Sequence, residues 1–348
     1  SDLKFICMTY DEVISNNCKY NSPVSWWPKY AFHYTDVTNA IGILKTGYLY
    51  SRYNAEKSHL MSNDNASRQV IDMTYSGAES TVRFYFRPLT PTQYHNEGFK
   101  HPSLRYCHDL NANVPVPVFF LFDLNSLLQL PDTQFSEQSL AGGGGSLLSG
   151  EENFASLNFT QIYKTGYMKD AEQEKKYRHA EIVYPGAFDI SDSLKYIICR
   201  NQVERSTLLN LLRKEGSKTF SRYKDKVFVM ADCFENNGLY IKECTYYTDK
   251  AVIVCSKTAS KIQYTSRYKE DPETALIVHA YAEFDWYRST TLLERRSCNF
   301  QVDYESSENI TFTNLAKPQG ATALYMQVYF EGKLMCYMCW QLSDSALL

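Results

Sequence analysis

The 348 residues carry 44% hydrophobic and 22% charged content, ample apolar material for a core, and at ~150 residues per domain the length suggests about two domains. A formal net charge of −3 excludes a chain that is basic throughout, the usual mark of a non-specific nucleic-acid binder. No run of 18 apolar residues could cross a bilayer, Ser1–Tyr10 lacks a secretory leader pattern, and ten Cys show no framework spacing; the expectation is a cytosolic chain with reduced thiols and no membrane partner.

In chain order, Thr9 with Glu12 three residues on has the spacing of a capping box and starts a helix. Ala31–Tyr34 reads as a short strand. Asp36 or Thr38 caps the next helix, which runs through Leu44 and Lys45 and stops at Gly47. Residues 52–80 are polar and weakly periodic, a long loop of the kind that is commonly functional. Val82–Phe86 is a strand ended by Pro88 and Pro91. Val116–Phe122 is a near-continuous apolar run suited to a buried central strand, and Leu124–Leu130 follows as a short helix. Ala141–Ser146 contains four consecutive glycines; it has the composition of a laboratory linker in place of a mobile loop and carries no fold information. Glu181–Tyr184 and part of Asp192–Ile198 are strands. Val203–Lys214 is an amphipathic helix with Val203, Leu208, Leu211 and Leu212 as its apolar residues.

The pattern changes near residue 244. Ala251–Cys255, Ala275–Phe284, Asn299–Tyr304, Ile310–Leu315, Ala323–Phe330 and Leu334–Leu342 are short strand candidates, the last two joined at Glu331-Gly332 by a hairpin turn. The expectation is an α+β catalytic domain over 1–243, followed by an all-β sandwich over 244–348, with an immunoglobulin-like arrangement as one form of it. Twenty-eight Tyr and nineteen Phe fit strand packing, and also base-stacking platforms.

Lys195 to Lys226 holds nine Lys/Arg against three Asp/Glu. Such a run is either a solvated helix face or a phosphate-binding strip, and Arg200, Arg205, Arg213 and Lys214 are its nucleic-acid candidates. No phosphate-cradling Gly-rich loop, dinucleotide-binding glycine fingerprint or nucleophile elbow is present. Cys336 and Cys339 form a lone CxxC, too few ligands for zinc, so no metal is expected.

Four segments in order resemble one family. They are Phe32-His33-Tyr34-Thr35 running to Gly47, Val82-Arg83-Phe84-Tyr85-Phe86-Arg87-Pro88-Leu89-Thr90-Pro91, the apolar strand Val116–Leu121 with Asp123-Leu124, and Arg178-His179-Ala180-Glu181-Ile182-Val183. Over residues 30–242 the chain is similar to the DarT-type DNA ADP-ribosyltransferase toxins. The resemblance implies a split-sheet ADP-ribosyltransferase fold that consumes NAD+ as co-substrate and modifies a base of single-stranded DNA, or alternatively RNA. It implies Glu181 as catalytic carboxylate, with His33, Thr35, Asn39 and Tyr85 on NAD+. Arg68 matches the family's essential arginine, to clamp the diphosphate and assist catalysis, with Arg52 and Arg83 as rival placements. A toxin–antitoxin or anti-phage setting is implied too, with a macrodomain-type hydrolase or a neutralising protein as antitoxin. One departure stands out: the family's His in an Asp-x-His-Ala stretch has no counterpart in Phe135–Ala141. Two other readings stay open, a protein-directed transferase and a degenerate binding module.

Overall fold

A computed structural model of the chain describes residues 7–20, 24–51, 80–141, 145–306 and 309–343. The local signals at the N-terminus hold. Helix α1 (Tyr10–Tyr20) opens on a reciprocal capping box, Thr9 N–H donating to Glu12 Oε2 (2.8 Å) and Glu12 N–H to Thr9 Oγ1 (3.2 Å). Strand β1 (Tyr30–Asp36) passes into α2 (Val37–Thr46) through Asp36, whose carboxylate accepts from the Thr38 N–H at 3.0 Å. Gly47 ends α2 in the left-handed region at φ 78°.

The chain forms two compact units, one of residues 1–94 and 119–198, the other of residues 95–118 and 199–348. The first contains β2 (Tyr48–Leu49), β3 (Thr81–Tyr85), α3 (Pro91–Asn96, its last residues in the second unit), β4 (Pro117–Asp123, its first two residues in the second unit), α4 (Leu124–Leu128) and β5 (Gln134–Phe135). It continues with α5 (Glu151–Ala155), α6 (Phe159–Ile162), α7 (Ala171–Arg178), β6 (Glu181–Pro185), β7 (Phe188–Asp189) and β8 (Leu194–Cys199). Within this unit the main sheet runs β5-β6-β3-β1-β4-β8. β4 is its buried spine: Val118 to Phe122 are all buried, as the apolar run requires. Phe84, Phe122 and Phe188 pack edge to face at 5.3–5.4 Å on one side of the sheet. The expected helix to Leu130 stops at Leu128, and Gly142–Gly144 of the linker-like run lie outside the described residues.

The second unit holds α8 (Gln202–Lys214), α9 (Ser217–Tyr223), β9 (Val227–Val229), β10 (Ile241–Tyr247), β11 (Lys250–Cys255) and α10 (Ala259–Tyr268). β12 (Ile277–Arg288), β13 (Thr291–Asp303), β14 (Asn309–Phe312), β15 (Ala323–Phe330) and β16 (Lys333–Gln341) complete it. Two antiparallel sheets, β10-β11-β14 and β13-β12-β15-β16, make the expected sandwich. The Phe312 ring meets Phe284 at 5.4 Å and Phe300 at 5.2 Å between them. In chain order the sheets take strands 1-2-5 and 4-3-6-7, an immunoglobulin-like division in which the fourth strand has changed sheets relative to the constant-type domain. The expected strand Asn299–Tyr304 is the end of a longer β13: its first half, Leu-Leu-Glu-Arg-Arg, lacks alternation, and pairing with β12 holds it extended. The units do not divide at 243/244. α8 is tied to β16 by Thr207, whose hydroxyl accepts the Tyr337 N–H (3.0 Å), and by Asn210, which donates to the Tyr337 carbonyl (2.8 Å). Those side chains occupy the free edge of β16, which an unpaired strand would otherwise offer to another chain.

Candidate active site

The site lies where β1 and β3 part. Their ladder holds at one register pair, Phe32↔Tyr85. One residue further along β1, the His33 ring enters in place of a backbone donor and its Nδ1 donates to the Arg83 carbonyl at 2.9 Å. That bond fixes the tautomer, because a carbonyl only accepts, and leaves Nε2 as an acceptor. Burial pushes the His33 pKa down, so the ring is neutral and keeps that lone pair.

On the other side of β3 the ladder to β6 is regular and sets Tyr85 opposite Glu181 and Arg83 opposite Val183. Tyr85 and Glu181 therefore share a sheet face. The Glu181 side chain is only 4% exposed, with Arg83 Nε 3.5 Å from its Oε2. That distance is an ion contact without a hydrogen bond. Glu181 Oε2 and Arg83 Nη2 are both buried with no hydrogen-bond partner among the described residues. Burial raises the Glu181 pKa, and Arg83 and the Leu140 N–H pull it back. The backbone around it is fixed, Ser136 N–H donating to Glu181 O (2.8 Å) and Glu181 N–H to Ser136 Oγ (3.2 Å). A buried acceptor and donor left open on a rigid strand are costly unless something binds there.

His179, two residues before Glu181, completes the cluster. Its Nε2 accepts from the Thr92 N–H at 3.1 Å and lies 2.9 Å from the Thr92 hydroxyl. Its ring centroid is 6.3 Å from that of Tyr85. Burial lowers the His179 pKa to about 4, so it is neutral at physiological pH. With Nε2 accepting, Nδ1 carries the proton and is a donor. The Tyr85 phenol is pushed upward by burial and by Glu181, and stays protonated.

Of the residues expected from sequence, the structure brings Glu181 and Tyr85 together, with His33 at the adjacent gap. Thr35 is buried two residues beyond His33 on β1, and Asn39 is half-buried in the first turn of α2. Arg68 and Arg52 lie outside the described residues, whereas Arg83, the rival placement, is the arginine beside Glu181.

The basic candidates divide. Arg200 is not a phosphate contact. It is 2% exposed and binds Glu204 through Nε (2.8 Å) and Nη2 (2.7 Å), with Nη1 at 3.3 Å from Glu97. A guanidinium so committed is a buried structural cation. Arg205 is half-buried and donates to the Val227 carbonyl (3.0 Å), while Arg213 and Lys214 are exposed. Cys336 and Cys339 are free thiols, and no group of three or more potential metal ligands occurs among the described residues.

Sequence reading missed Thr92, Ser136 and the role of His179. Only the spacing of His179 to Glu181 was visible, since its partner Thr92 is 87 residues away in the chain.

Beside the parted middle strands stand a buried glutamate, a neutral histidine and a tyrosine across the ladder, groups that an ADP-ribosyltransferase can use, and the class itself comes from the family match. The chain belongs to the ssDNA thymidine ADP-ribosyltransferase family, DarT, whose model matches residues 32–229, more than half of the sequence. Among solved structures it is similar to Thermus sp. 2.9 DarT in complex with ADP-ribosylated ssDNA, at 16% identity and TM-score 0.49 over 60% of this chain and 96% of that one. The same protein in complex with NAD+ gives 16% identity and TM-score 0.46 over 60% and 98%. Thermosipho africanus DarTG in complex with ADP-ribose gives 14% and 0.44 over 60% and 51%. No curated protein matches the chain.

Proposed function

We propose that this chain moves ADP-ribose from NAD+ to a thymine base of single-stranded DNA and releases nicotinamide. The observation that carries the reading is Glu181, a buried strand carboxylate whose Oε2 has no hydrogen-bond partner among the described residues, beside the gap between β1 and β3. The open polar groups fit a ribosyl donor. Glu181 Oε2 is an acceptor for a ribose hydroxyl and Arg83 Nη2 a donor to an anionic oxygen, while His33, whose ring packs with Phe84 and Phe120 on the other face of the strand pair, offers a further acceptor at the gap.

The reaction breaks the bond between the nicotinamide nitrogen and ribose C1′, and the electron pair leaves with neutral nicotinamide. Glu181 stabilises the oxocarbenium-like ribose that develops. A thymine nucleoside has a single ring N–H, at N3. As N3 bonds to C1′, Glu181 accepts that proton. The raised pKa of Glu181 makes it a better base than a surface glutamate. His179, a neutral donor beside Tyr85, is placed to hold a base carbonyl. N3 is engaged in a duplex, so an unpaired strand is the accessible form. Modified template DNA would halt replication, so the chain acts as a toxin, in toxin–antitoxin or anti-phage service, with an antitoxin hydrolase or neutralising protein as partner.

The test incubates the chain with labelled NAD+ and matched single strands: DNA with thymine, DNA without it, and RNA. Label on thymine-containing DNA alone, absent with Glu181→Ala, is the expected result. Transfer to RNA would move the proposal to that polymer. Undiminished transfer by Glu181→Ala would remove Glu181 from the mechanism.

A further inference from the structure

We propose that the outer face of the sheet β13-β12-β15-β16 is a stacking platform for single-stranded DNA, separate from the Glu181 cluster. Strand alternation builds it. Ala280, Ala282, Phe284 and Trp286 of β12 point into the sandwich and are buried. Tyr281 and Tyr287 take the opposite face. The register Tyr281↔Tyr329 and Asp285↔Tyr325 puts two tyrosines of β15 on that same face. The rings form two pairs, Tyr281 with Tyr329 at 6.2 Å and Tyr287 with Tyr325 at 5.4 Å. Tyr325 and Tyr329 are four residues apart, about 13 Å along the strand. All four tyrosines remain partly exposed.

Tyrosine pairs also stabilise sheets, so rings alone do not point to a ligand. The charges do. Helix α8, bound to β16 through Thr207 and Asn210, brings exposed Arg213 and Lys214 to this edge. Lys214 Nζ lies 5.1 Å from the centre of the Tyr337 ring, and that ring is 5.8 Å from Tyr325. Neither cation has a carboxylate partner among the described residues. Of the two carboxylates on the face, Asp285 is paired with Arg295 through Nε (2.7 Å) and Nη2 (2.9 Å), and Glu283 lies 3.5 Å from the same guanidinium and accepts from the Tyr281 hydroxyl (2.8 Å). Gln327, between Tyr325 and Tyr329 on β15, adds an amide. Partly open rings spaced along a strand and exposed cations at the rim, held by Asn210 (3.2 Å) and by the Phe220 and Tyr337 rings and not by carboxylates among the described residues, match a polymer of stacked bases on a phosphate backbone. A protein partner would leave Arg213 and Lys214 without a counter-charge unless it were acidic.

The platform does not depend on the transferase reading, and its test needs no NAD+. Anisotropy of a fluorescein-labelled, mixed-sequence single-stranded DNA 20-mer is measured with the full chain carrying Glu181→Gln. In that background, Tyr281→Ala/Tyr329→Ala should weaken binding at least tenfold, and Lys214→Ala should weaken it several-fold. Tyr281→Phe/Tyr329→Phe should restore affinity, because stacking needs the ring and not the hydroxyl. Far-UV circular dichroism and the melting midpoint establish that each variant is folded. Equal affinity in the folded alanine variants, or no binding by the parent chain, overturns the platform. Failure of the parent chain to transfer ADP-ribose, with this binding intact, would instead count against the transferase reading and leave the platform standing.

Discussion

Glu181 works in a place that does not suit a carboxylate. Its folded pKa is raised by burial, so the native state holds that proton more tightly than the unfolded chain does. Stability from this group is therefore present at low pH and lost as pH rises through the raised value. Glu181→Gln removes the charge and keeps the shape. Expected is loss of transfer by at least 10³-fold, as for removal of a reacting group, with a melting midpoint at pH 7 equal to or a few degrees above that of the parent. In the parent chain, the acid limb of kcat should lie above the ordinary glutamate range, near 4.3. Burial moves His179 in the opposite direction, down to about 4. His179→Gln should then lower kcat without moving the limb. A limb that follows this substitution would assign the titration to His179.

At the scale of elements, one broken ladder and one buried ion cluster do most to shape the chain. β1 and β3 share a single register pair, and beside it the His33 ring takes the Arg83 carbonyl. A period-two pattern cannot reveal such a gap, since either strand alone reads as regular. The basic run from Lys195 suffers from the same blindness. Arg200 counts as a surface charge in sequence, yet Glu97, 103 residues earlier, folds back against it. Glu97 also accepts the N–H groups of Glu235 (2.7 Å) and Asn236 (2.8 Å), so the cluster ties three segments together. Removing the guanidinium strands two buried carboxylates. Arg200→Ala should cost about 3–5 kcal/mol of stability, seen as a large fall in the urea midpoint, whereas Arg213→Ala should cost less than about 0.5 kcal/mol. Equal small losses would show that the cluster is hydrated and not a structural centre.

Over the whole molecule, sequence was most legible where a signal is local. The Thr9–Glu12 box, the Asp36 cap, the stop at Gly47 and the strand that carries Glu181 all sit where their residues put them. What needed the fold was partnership across distance: Thr92 with His179, Glu97 with Arg200, and α8 with β16. The same contrast governs charge. A net −3 repels a polyanion, so any attraction for single-stranded DNA must come from local cations. With Arg200 buried and Arg205 turned to a backbone carbonyl, the exposed set in the basic run includes Arg213, Lys214, Lys218 and Arg222. Each phosphate contact on a single strand contributes about −0.7 to the slope of log affinity against log salt. Three or four contacts from this set predict a slope of roughly −2 to −3. Lys218→Ala and Arg222→Ala should each flatten it by about 0.7, and Arg205→Ala should not. A titration of oligonucleotide affinity from low to physiological salt reads this directly. A slope near zero would mean that binding is carried by stacking and hydrogen bonds alone, and that the basic run is only a solvated helix face.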